Sequence, residues 1–171
     1  DCNPSLIISD KPLDILAAQF SNTPLLRADT NFLQSLKAYS SKYETATKAN
    51  DLCVFQYTSG TTRTLPEAVK HSQRSVVTLM IAALFGVGLR PNDRYFCPSS
   101  PAWGHGLWHG TIAPLALGIH IGAYAGRFEP NMVFEALQEI KINNFAAAAT
   151  VYRMLRNSGS RDDYEINLSK C

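Results

Sequence analysis

Short apolar runs alternate with amphipathic stretches along almost the whole chain, and no other feature constrains its fold as strongly. Residues 5–9, 25–27, 53–57, 95–97 and 119–124 are runs of mostly apolar residues with the length and character of buried strands. Between them, helical spacing covers residues 13–20 and a face made by Phe32, Leu33, Leu36 and Tyr39. It returns over about 73–86 behind Ser72 as an N-cap, over about 106–117, and from Glu129-Pro130 into a face of Val133, Phe134, Leu137 and Ile140. A short returning strand at 68–71 and a last helix beginning near Tyr152 complete the pattern. Repeated βα units predict an α/β fold, a mainly parallel sheet with helices on both faces, built as a single α/β subdomain over residues 1–171. In such sheets ligands sit beyond the carboxyl ends of the strands, which points to the loops after Tyr57 and after Cys97.

Composition narrows the function classes. The 171 residues are about one domain's worth. With 16 Lys+Arg against 14 Asp+Glu the net charge is +2, too weak a field to capture nucleic acid or an anionic membrane. A 46% hydrophobic content excludes intrinsic disorder. The charge-free window at 75–89 is shorter than the roughly twenty residues of a spanning helix. The longer charge-free stretch at 95–126 is broken by prolines, glycines and histidines, so it reads as buried strands, turns and pocket wall. Cys2, Cys53, Cys97 and Cys171 are scattered without CxxC spacing, as expected of reduced thiols in a cytoplasmic protein. The chain starts at Asp1 with no signal-peptide pattern, and its two ends suggest an internal piece of a longer protein.

Chemistry concentrates in two loops. In Tyr57-Thr58-Ser59-Gly60-Thr61-Thr62-Arg63-Thr64-Leu65-Pro66-Glu67, hydroxyl side chains surround one glycine directly after a strand. Such a segment either wraps a phosphate with backbone N–H groups and hydroxyls, Arg63 adding a bidentate cation, or forms a solvated Ser/Thr turn. It is not a Walker loop, and Gly104-His105-Gly106-Leu107-Trp108-His109-Gly110 is one residue too long for a dinucleotide fingerprint. His105 and His109 share a helix face, but the glutamate of HExxH is missing and no third ligand is near, so no metal site is assigned. No GxSxG nucleophile elbow occurs. In Ser99-Ser100-Pro101-Ala102-Trp103-Gly104-His105, Trp103 is either a pocket wall or gate, or part of the core.

Tyr57-Thr58-Ser59-Gly60-Thr61-Thr62 resembles the phosphate-binding signature of the adenylate-forming, AMP-binding superfamily of acyl-CoA synthetases, nonribosomal adenylation domains and firefly luciferase. Ala68-Val69-Lys70-His71-Ser72, Pro114-Leu115-Ala116-Leu117-Gly118, Phe128-Glu129-Pro130 and Val151-Tyr152-Arg153-Met154-Leu155 extend the likeness to acyl-CoA synthetases of the medium-chain and benzoate or aminobenzoate type. The resemblance implies a Rossmann-like subdomain of the family's large amino-terminal domain. It also implies a two-step ligase: ATP, with Mg²⁺, activates a small carboxylic acid to an acyl-adenylate, and coenzyme A displaces AMP. Thr58, Ser59, Gly60, Thr61 and Thr62 match the positions that hold the ATP phosphates. Trp103, and less directly His105, match the wall of the acyl and CoA pocket.

The loop departs from the family pattern. Arg63 replaces a glycine, Thr64 is inserted, and Pro66-Glu67 stands for Pro-Lys. Arg63 is expected to supply the missing positive charge, with Glu67 turned away or paired with Lys70. No segment matches the family's adenine- and Mg²⁺-binding motif, ribose-binding aspartate, hinge or carboxy-terminal lysine. The chain alone is therefore expected to be inactive, with uncovered surfaces that favour self-association. The competing readings are an adenylation domain that loads a carrier protein and a noncatalytic α/β module that binds a nucleotide or a partner.

Overall fold

The computed structural model describes residues 3–57 and 68–166. Packing divides the chain into two compact units, Asp1–Thr47 and Lys48–Cys171, where the sequence reading has one subdomain over 1–171. The first unit is a small βαβ arrangement. Strand β1 (Ile7–Ser9) and strand β2 (Leu25–Arg27) pair in parallel, Ile7 opposite Leu25, and helix α1 (Leu13–Ala17) connects them. The helix expected to reach residue 20 stops at Ala17, where the Gln19 N–H tightens the chain into a three-residue turn onto the Leu16 carbonyl at 3.0 Å. Helix α2 (Thr30–Ser35) starts where the Asp29 carboxylate accepts the Phe32 N–H at 2.9 Å, an N-cap that satisfies one orphan donor.

In the second unit, β3 (Leu52–Tyr57) and β4 (Ala68–Ser72) form an antiparallel pair, with Gln56 opposite Val69 and Tyr57 opposite Ala68. Helix α3 (Gln73–Ala82) follows β4 directly. Ser72 occupies its N-cap position as the sequence predicts, but its hydroxyl makes no capping bond. The Asp51 and Ala49 carbonyls accept the Gln73 and Arg74 N–H groups instead, both at 2.9 Å, so the preceding loop does the capping. The helix closes through a π turn, Ala83–Val87, and ends at Gly88, whose φ of 78° needs glycine.

Strand β5 (Arg94–Phe96) is the centre of a three-stranded parallel sheet, with β6 (His120–Gly122) on one side and β7 (Asn144–Phe145) on the other. Arg94 N–H donates to Asn143 Oδ1 at 2.8 Å and Asn144 Nδ2 donates to Asp93 at 3.0 Å, which fixes the register of β7. Side chains alternate across a strand, and here both faces are covered. Tyr95 packs with Ala83, Leu89, Ala113 and Ile119 on one side. Phe96 packs on the other with Val133, Phe134 and Leu137 of α5 (Pro130–Glu139), Ile142, and Leu155 of α6 (Ala149–Ser158).

The expected helix over 106–117 is a π-helical segment, His105–Ile112, continued by the short helix α4 (Ala113–Ala116). Wider winding suits these residues. Pro114 has no N–H to give to the carbonyl four residues back, and the Thr111 hydroxyl donates to the Gly106 carbonyl at 2.9 Å. Among the described residues no helix is long and apolar enough to cross a membrane.

Phe96 is 1% exposed, so Phe96→Ala opens a cavity against α5 and α6. Its unfolding free energy is expected to fall by about 3–5 kcal/mol. Urea unfolding of the two proteins measures that difference directly.

Candidate functional site

The chain leaves β5 at Phe96 into Cys97-Pro98-Ser99-Ser100, which lies beyond the carboxyl end of the central strand. A cleft of about 580 Å³ opens there, lined among others by Cys97, Ser99, Trp103, Tyr124 and Phe128. None of its lining residues is charged. Two features of the loop shape it. The Trp103 N–H donates to the Ser100 carbonyl at 3.0 Å, closing a turn that projects Trp103 outward. A side chain on Gly106 would lie 2.2 Å from the Ser100 carbonyl oxygen and 2.4 Å from that of Ser99, so only glycine lets the π-helix seat against this loop.

Trp103 lines the cleft and is 69% exposed, which makes it a wall rather than a core residue. His105 is not among the lining residues. It stands behind them, Nδ1 lying 3.2 Å from Ser99 Oγ and 3.4 Å from Cys97 Sγ, and its ring centre is 5.8 Å from that of His109. Cys53 and Cys97 are free thiols. Burial, with the Cys97 thiol alongside, pushes the Tyr95 hydroxyl well above the usual phenol range, so it stays protonated.

Thr58, Ser59, Gly60, Thr61, Thr62 and Arg63, the residues expected to form a phosphate loop, together with Glu67, lie outside the described residues. On either side of them, β3 ends at Tyr57 and β4 begins at Ala68 directly opposite. Three contributors escaped sequence reasoning. Tyr124 and Phe128 reach the cleft from the chain after β6, and no local pattern links them to Trp103. Gln56 has a readable signal, the one amide in the run Cys53-Val54-Phe55-Gln56-Tyr57. Its Oε1 accepts the Trp108 indole N–H at 2.9 Å. Trp108 is 6% exposed, and a buried indole donor without an acceptor would cost about 1–3 kcal/mol.

The model of the AMP-binding enzyme family matches residues 1–170, and the chain belongs to that family. The benzoate–CoA ligase of Thauera aromatica is 29% identical over 96% of this chain and 33% of its own length. An uncharacterized acyl–CoA ligase of Bacillus subtilis, YtcI, is 31% identical over 72% of the chain and 23% of its length. The fold is similar to that of the anthranilate CoA ligase AuaEII, solved with anthranoyl-AMP, at a TM-score of 0.80 and 20% identity. That match covers 99% of this chain and 34% of the ligase. A Brucella canis acyl-CoA synthetase gives a TM-score of 0.73 at 24% identity over 91% of this chain and 30% of its own. The chain thus spans about a third or less of these four proteins.

His109 generates a pH prediction. Its Nδ1 is shielded from solvent and has no hydrogen-bond partner among the described residues. Burial, and secondarily His105, lower its pKa below the usual 6.5. The unfolded chain therefore binds this proton more readily than the folded one. Stability is expected to fall as the pH drops below about 6.5 and to level off below the folded pKa. Melting temperatures between pH 7.5 and 5 should decline less steeply for His109→Gln than for the parent sequence, and identical slopes would refute the assignment.

Proposed function

We propose that this chain supplies the phosphate loop and the acyl wall of an AMP-forming acid–CoA ligase that acts on an aromatic or medium-chain carboxylic acid. The cleft beyond β5 carries the reading. It is uncharged and has Trp103, Tyr124 and Phe128 in its wall, an environment for an apolar acyl group rather than for a triphosphate. The hydroxyl- and glycine-rich loop that follows Tyr57 offers the complementary surface, backbone and hydroxyl donors for phosphates. The benzoate and anthranilate ligases among the similar proteins support an aromatic acid.

In the first step a carboxylate oxygen of the acid attacks the α-phosphorus of ATP. The bond to the β-phosphate breaks, and pyrophosphate leaves with the electron pair. Thr58, Ser59, Gly60, Thr61 and Thr62 hold the β- and γ-phosphates and stabilise the departing charge, and Arg63 adds a permanent bidentate cation. In the second step the coenzyme A sulfur attacks the acyl carbon, the acyl–oxygen bond to AMP breaks, and the thiol proton passes to solvent. Trp103 walls the acyl group and the approach of the thiol, with His105 supporting the loop through Ser99. Mg²⁺ would shield the triphosphate. No group of three or more His, Cys, Asp or Glu side chains among the described residues could hold a metal, and the roles above do not depend on one.

In this reading residues 1–171 are one subdomain of a longer enzyme, and the isolated chain lacks a complete site. The use of ATP and CoA supports a cytoplasmic location, and the near-neutral charge supports small-molecule partners without nucleic acid or membrane. Val77, Ile81 and Phe85, exposed at four-residue spacing on α3 and its π turn, support self-association of the isolated chain.

Acid-dependent ATP–pyrophosphate exchange tests the reading, with benzoate, 2-aminobenzoate and medium-chain fatty acids as the panel. The intact enzyme should exchange with at least one acid, and the isolated chain with none. Arg63→Ala in the intact enzyme should raise the KM for ATP by about ten- to a hundredfold, the equivalent of about 1.5–3 kcal/mol for a charge-assisted contact. An unchanged KM would remove Arg63 from the phosphate site, and silence across the panel would overturn the ligase.

A further inference from the structure

Both strands that flank the phosphate loop grip the same indole. From β3, Gln56 Oε1 accepts the Trp108 N–H at 2.9 Å across a separation of 52 residues. From β4, the His71 ring meets the Trp108 ring edge-on, centres 4.7 Å apart and planes at 66°. An indole nitrogen can only donate, so the Gln56 oxygen must face it and the Gln56 NH₂ group turns the other way. That group lies against Gly104: a side chain there would stand 3.0 Å from Gln56 Nε2. Gly104 directly follows Trp103, and Trp108 sits one helical turn further on.

We propose that Gln56 is a positioning residue that fixes the end of β3, from which the chain enters residues 58–67, against the acyl wall, by clamping β3 onto Gly104 and Trp108. The inference rests on the ligase reading and extends it: adenylation needs the carboxylate to meet the α-phosphorus, and these two reactants are held by separate loops. A hollow of about 430 Å³, bounded by Gln56, His71, Ser75, Thr78, Leu79 and Trp108, lies beside the indole. The edge-on His71 contact is not directional, and the Gln56 hydrogen bond adds the directional constraint. Gln56 is not among the residues that line the cleft, so its loss lets the end of β3 shift against the Trp103 loop without removing a contact there. A misplacement of about 1 Å can cost on the order of a hundredfold in rate.

The test uses the intact enzyme and pyrophosphate exchange with the acid that works best. Gln56→Leu keeps the size of the side chain and removes its acceptor. Its kcat is expected to fall between about tenfold and a hundredfold, with the KM values for ATP and acid each within about twofold of the parent enzyme. Gln56→Glu keeps an oxygen for the indole and should recover most of the rate. Trp108→Phe should match Gln56→Leu, and the double variant should lose no more than either single variant, the signature of one shared interaction. Melting temperatures identify the folded fraction in each case, so rates are compared per folded molecule. A Gln56→Leu enzyme with the parent kcat, a Glu variant as slow as the Leu variant, or additive losses in the double variant would overturn the inference while leaving the ligase standing. A parent enzyme without exchange would overturn the ligase itself, and this inference with it.

Discussion

Burial of Tyr95 and Phe96 from opposite sides makes β5 the element on which the rest of the second unit depends. Consecutive side chains on a strand point apart, so two large adjacent aromatics can both be dry only if each face has its own apolar layer. The α5 and α6 layer meets Phe96, and the α4 layer with Ala83 and Leu89 meets Tyr95. With both faces closed and β6 and β7 on its two edges, β5 has one open direction, its carboxyl end. The cleft, its Trp103 wall and the loop that shapes it all lie there. The site is thus a consequence of how the strand is buried, as expected for parallel sheets in general.

Charge is divided in the same spirit. The cleft wall carries no ionised side chain, and the one permanent cation in the hydroxyl-rich segment 57–67, Arg63, belongs to the stretch between β3 and β4. An apolar acyl group and a polyanion want opposite surroundings, one without charges and one rich in donors. Two loops from two different sheets can satisfy both, provided that something holds them at a set distance. The Trp108 indole, held by Gln56 and met by His71, joins the β3–β4 pair to the π-helical segment that follows the Trp103 loop.

Much of this was legible in the sequence, and the failures have physical causes. The strand at 53–57, the buried run at 95–97 and the amphipathic helix behind Glu129-Pro130 stand out because one period dominates each, and the structure places all three as elements. Trp103 was readable as a candidate wall from its place just beyond a strand. Boundaries were less legible. The helix at 13–20 ends early in a tightened turn at residues 16–19, and the π winding of His105–Ile112 goes with Pro114 and a Thr111 hydroxyl bond, neither of which changes the apolar pattern. The capping of α3 by Asp51 and Ala49 carbonyls is a tertiary event with no sequence signature. For the site, Tyr124 and Phe128 line the same cleft as Trp103 only because β6 lies beside β5, so no reading of either segment alone could join them.

In the function we propose, the acyl group occupies the uncharged cleft at the carboxyl end of β5 while the phosphates meet the loop after Tyr57. A crystal structure of the intact enzyme with a nonhydrolysable aromatic acyl-adenylate analogue tests both halves at once. The aromatic ring is expected between Trp103 and Tyr124, with the phosphate group directed toward residues 58–63. A ring bound elsewhere, with this cleft filled by ordered water or by another part of the chain, would contradict it.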